Sequence, residues 1–87
     1  MPEPPDARRT VSASDIARLA EWFDRFQYAD DPNSAQCKEA EIQFNERVSR
    51  LYEDCVRPYY DSITLSHFRG KAVSECKRYL TRAKLAL

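Results

Sequence analysis

The chain has 87 residues, of which 43% are hydrophobic and 32% charged, with no formal net charge; this fits one globular domain and excludes the apolar-poor, highly charged make-up of a disordered chain. A domain of this size buries only roughly 60–65% of its unfolded surface, so one small core is its limit. No run approaches the ~18 consecutive apolar residues of a membrane span, and Met1-Pro2-Glu3-Pro4-Pro5-Asp6 lacks the apolar core of a signal peptide, so a soluble cytoplasmic protein without membrane attachment is expected.

Residues 1–12 combine three prolines and four charges with few apolar groups, too little to offset the entropy of ordering the backbone, which predicts a flexible arm ahead of a single helical domain over 13–87. Ser14 suits an N-cap, and Asp15 places negative charge at the positive end of a helix dipole. Ile16, Leu19, Ala20, Phe23 and Phe26 then fall on one face at helical spacing, with Trp22 on its edge, so a first helix is predicted over about 15–29.

Asp31-Pro32 reads as N-cap and first helical residue, because proline lacks only an N–H that would be unpaired there. Cys37, Ala40, Phe44, Val48, Leu51 and Cys55 recur every three or four residues, and Pro58 terminates the run, which predicts a second helix over about 32–56. Ile42, Tyr52 and Val56 form a second, weaker apolar stripe on its flank. Such a stripe is used either by a third helix or by a partner.

Ile63 and Phe68 flank Thr64 at the spacing of a hydrophobic staple, so the third helix is predicted to begin near Leu65 and to run to about Lys84. Leu65, Phe68, Ala72, Val73, Cys76, Tyr79, Leu80 and Ala83 supply its apolar face. Gly70 sits in mid-helix at a cost of about 1 kcal/mol, which predicts either close packing or a break there. Three amphipathic helices with short connections pack as antiparallel neighbours, and the expected fold is an all-α, up-down-up three-helix bundle.

The residues offer little chemistry. Catalysis needs a convergent set of groups, and the one histidine, His67, falls in the first turn of the third helix, where capping or solvation is the ordinary role; no enzyme activity and no catalytic residue are expected. Cys37 and Cys55 lie eighteen residues apart on one helix, ~27 Å, too far to share a metal. With Cys76 they number three, outside any CxxC pair and on apolar faces, so they are read as buried thiols in a reducing compartment, with no metal and no cofactor.

Charge is the more telling feature. From His67 to Leu87 six basic residues stand against one acid, a net of +5, while the preceding 66 residues hold eight basic and thirteen acidic, a net of −5. On the third helix Lys71, Arg78 and Arg82 project within ~40° of one another, with Lys77 and Lys84 on a second flank. Such a face is either solvated surface that complements the helix dipole or a contact for phosphates or an acidic partner. Leu65-Ser66-His67-Phe68-Arg69-Gly70 followed by Val73-Ser74-Glu75 also resembles a helix-turn-helix, which implies a turn at Gly70, a recognition helix over Cys76 to Leu80 and DNA binding. Arg69 departs from that pattern, standing where such motifs bury an apolar residue.

The leading expectation is a small non-catalytic interaction protein, a regulator or adaptor, that docks on a protein partner. Its candidate contacts are Trp22, Tyr28, Ile42, Tyr52, Tyr59 and Tyr60, because aromatic residues dominate interface energetics. The rival is a nucleic-acid-binding domain that uses Lys71, Lys77, Arg78, Arg82 and Lys84. Homodimerisation on the Ile42 stripe is a third expectation, since a marginal bundle gains stability by pairing.

Overall fold

The computed structural model of the chain describes residues 10–85. Residues 1–9, which hold most of the expected arm, lie outside the described residues. Three helices follow one another: α1 (Ala13–Gln27), α2 (Ala35–Cys55) and α3 (Leu65–Leu85). They pack as the expected three-helix bundle, with α2 antiparallel to its neighbours: Phe26 meets Cys37, Tyr52 meets Phe68, and Tyr28 meets Lys84 at the ends of α1 and α3.

Two helix starts differ from the prediction. Helix α1 begins two residues early because Ser12, and not Ser14, is the cap: its Oγ accepts from the Asp15 N–H at 3.2 Å, and the Asp15 carboxylate accepts from the Ser12 N–H at 3.0 Å. This reciprocal box needs an acid three residues on, which Ser12 has and Ser14, followed by Ala17, lacks. Val11 and Ile16 are partly buried on either side of the box, in hydrophobic-staple positions. Helix α2 begins three residues late. Asp31-Pro32 opens a turn instead, in which the Asp31 carbonyl accepts from Ser34 N–H at 3.1 Å and the Asp31 side chain from Asn33 N–H at 3.0 Å. Ser34 then caps α2 through the Cys37 N–H. Proline takes nearly the same φ at the second position of a turn as at the first of a helix, so the dipeptide alone fits both. The start of α3 is as predicted, with Thr64 Oγ1 accepting from the His67 N–H and Ile63 and Phe68 partly buried around it.

The core is built from Leu19, Ala20 and Phe23 of α1, Phe44, Val48, Leu51 and Cys55 of α2, and Ala72 and Cys76 of α3. Phe23, Phe26 and Phe44 meet with ring centroids 5.3–5.5 Å apart, within the range in which tilted and edge-on aromatic pairs attract. The short helix α1 packs extensively on both others, whereas α2 and α3 touch least. The second stripe of α2 is therefore divided. Tyr52 and Val56 turn into the fold near the α2–α3 connection, and Ile42 stays half exposed.

All three cysteines are free and buried. Burial and the nearby Glu75 carboxylate push the Cys76 thiol up to about 11. Gly70 overturns its prediction in both forms, since α3 is continuous through it and an added Cβ would meet nothing within 4 Å. Among the described residues no helix is long and apolar enough to cross a membrane.

Candidate macromolecule-binding surfaces

The six candidate protein contacts do not form one surface. Trp22 is half buried between α1 and α2, with the guanidinium carbons of Arg25 and Arg47 at 4.7 and 4.9 Å from its ring centroid. Tyr28 follows α1 and is 52% exposed, its ring beneath the Lys84 ammonium at 4.8 Å. Tyr59 and Tyr60 are exposed in the α2–α3 connection, and Ile42 stands on α2, 50% exposed. Tyr52 is committed internally: its hydroxyl donates to the Ile63 carbonyl, and its ring lies 5.9 Å from that of Phe68.

Trp22 does line a groove of about 820 Å³ where α1 hands over to α2, with Arg25, Asp31, Ser34, Cys37 and Ala40 among its walls. A second depression further along the same helix pair gathers Arg18, Arg47 and Arg50 with Asp15 and Asp54. Sequence reading missed these arginines as a group. They come from two helices whose overall charge is acidic, and only the α1–α2 register brings them together.

The basic candidates behave differently, because one helix carries them all and its packing decides what they face. Ala72 and Cys76 are buried against the other helices, so the opposite side of α3 looks outward. Lys71, Lys77, Arg78, Arg82 and Lys84 are all exposed. At ~100° per residue, Lys71, Arg78 and Arg82 form one edge of the outward side and Lys77 with Lys84 the other, roughly 130° away around the axis. Between these edges lie His67, Gly70, Ser74 and Thr81, all exposed, and the exposed Ser66 stands in line with Lys84. A shallow depression marks Gly70, bordered by Ser66, His67, Lys71, Ser74 and Glu75.

Partners within the fold modulate this face. Glu75, the acid on α3, stands 3.6 Å from Arg78, three residues on and well exposed, a pair of little energetic weight. Arg69 leaves the face altogether: half buried, it bonds Asn45 Oδ1 at 2.8 Å and lies over the Phe44 ring at 5.6 Å. That explains a basic residue where a helix-turn-helix would bury an apolar one. The helix-turn-helix resemblance itself fails on geometry, because α3 continues without a turn from Leu65 to Leu85.

Among the described residues no group of three or more His, Cys, Asp or Glu side chains is arranged to hold a metal ion. No family model, no curated protein and no solved structure matches the chain.

Proposed function

We propose that the protein is a non-catalytic helical binding module that engages an anionic macromolecule, a nucleic acid in the first instance, through the outward side of α3. One observation carries this reading: five exposed cations lie on one continuous helix, on the side away from the core, with a single exposed acid among them. Counterion release by phosphates makes such a surface effective at low salt. The aromatic candidates support a common docking surface less well, since they are spread over both helix connections, α2 and the interior.

Fluorescence anisotropy against labelled duplex and single-stranded DNA at two salt concentrations tests the reading. Binding should weaken steeply with salt, and the triple variant Lys71→Gln, Arg78→Gln, Arg82→Gln should flatten the slope of log K against log salt by about 3, near 0.9 for each phosphate no longer neutralised. Absence of binding at low salt would overturn it.

A second reading rests on the Trp22 groove, where Trp22 and Arg25, residue types favoured at protein interfaces, line a concavity. Trp22 is the only tryptophan in the chain. Its emission therefore reports occupancy directly, and docking there should shift that emission.

A further inference from the structure

We infer that α3 enters the major groove of B-form DNA, with Gly70 at the point of closest approach; this rests on the anionic-partner reading above. The charge pattern leads the argument. The two basic edges of α3 are separated by roughly 130° around the axis, and an α-helix with its side chains is ~10–12 Å across, so the edges stand about 10 Å apart at the helix surface and further at the side-chain tips. That matches the two phosphate strands bordering a major groove about 12 Å wide. Lys71, Arg78 and Arg82 face one strand and Lys77 the other. Lys84, whose ammonium stands over the Tyr28 ring, lies at the end of that second edge.

The residues between the edges narrow the partner. His67, Gly70, Ser74 and Thr81 present hydroxyl, imidazole or bare backbone and no apolar side chain. A helix that lies on a lipid surface needs an apolar face to bury among headgroups, and a protein interface centres on aromatic or aliphatic anchors; over residues 67–81 this strip has neither. Short polar groups flanked by long cations instead let the helix approach base edges while the flanks reach phosphates. Double-stranded RNA is excluded by shape, since its major groove is too deep and narrow for a helix.

Gly70 adds an independent point. A glycine in mid-helix is destabilising, yet an added Cβ here would meet nothing in the chain within 4 Å. No packing need within the fold accounts for it, whereas close approach of a partner to the outward side does.

The test compares the full-length protein with Gly70→Leu and Ser74→Leu, two substitutions on exposed helix positions that preserve charge and favour helix. Each is titrated with a 20-base-pair duplex DNA, a duplex RNA of the same sequence and heparin at one salt concentration, with helical circular dichroism to confirm the fold. The expected result is that the native protein prefers duplex DNA to duplex RNA at least tenfold, and that both variants lose at least tenfold in DNA affinity while their heparin binding is unchanged. Equal affinity for the two duplexes, or undiminished DNA binding by both variants, would overturn the groove placement and leave a general anion-binding face. Failure of the native protein to bind any of the three would overturn the anionic-partner reading itself.

Discussion

Gly70→Ala should stabilise the protein, and the structure permits the size of the effect to be worked out. Three contributions could arise from adding a methyl group at this site. The steric one is absent, because the nearest atoms lie beyond 4 Å. The packing gain is absent for the same reason. Backbone strain is absent too, since Gly70 does not have positive φ and sits within the continuous helix α3. What remains is the conformational entropy that glycine loses on folding, about 0.8–1 kcal/mol relative to alanine in a helix interior. For a domain of this size that corresponds to a rise in melting temperature of about 4–8 °C, or about 1 M in urea midpoint if m is near 1 kcal/mol/M. Urea unfolding followed by circular dichroism at 222 nm measures it. An unchanged or lowered midpoint with unchanged m would refute the reasoning, because it would require Gly70 to serve a need inside the fold. A gain in stability would mean that glycine is kept at a standing cost, as expected where a surface is shaped for a partner.

Phe44→Ala should remove about 3–5 kcal/mol, since the ring is fully buried between Phe23 and Phe26 and supports the Arg69 guanidinium. Against a total of roughly 4–13 kcal/mol for 87 residues, such a variant should lose most of its cooperative thermal transition, and a clean melt within a few degrees of the native one would contradict the assigned core. Stability should also fall at alkaline pH through Cys76. Its thiol titrates at about 11 in the fold against 9.0 for a free thiol, so the unfolded chain releases the proton first. The contribution is fully present below pH 9 and is lost as pH rises through 11, on the order of 3 kcal/mol in all. A Cys76→Ala variant should show a shallower decline over that interval, and parallel curves would rule the thiol out as a source.

Much of the fold was legible in the residues. The apolar periodicity of Leu19 to Phe26, of Cys37 to Cys55 and of Phe68 to Leu80 determined three helices and nearly all of the core, because helical spacing and burial are local properties of the chain. The Ile63–Thr64–Phe68 signal for the start of α3 was equally local. Ser12 against Ser14 could be separated by asking which serine has an acid three residues on, whereas Pro32 could not be resolved, because a turn and a helix start demand the same φ of it.

The tertiary structure decided the rest. Only packing shows that α1 is the helix in contact with both others, that Tyr52 and Val56 are absorbed by the fold while Ile42 is left outside, and that Arg69 is drawn inward by Asn45 and Phe44. The same holds for function. The cations of α3 were legible one by one, but their arrangement as two edges around Gly70 depends on which side of α3 faces Leu19 and Phe44. The arginines around Trp22 come together only through the register of α1 on α2. Burial along one helix follows from its own periodicity; the surface that a bundle presents follows from how the helices are rotated against one another, and that is fixed by contacts between residues far apart in the chain.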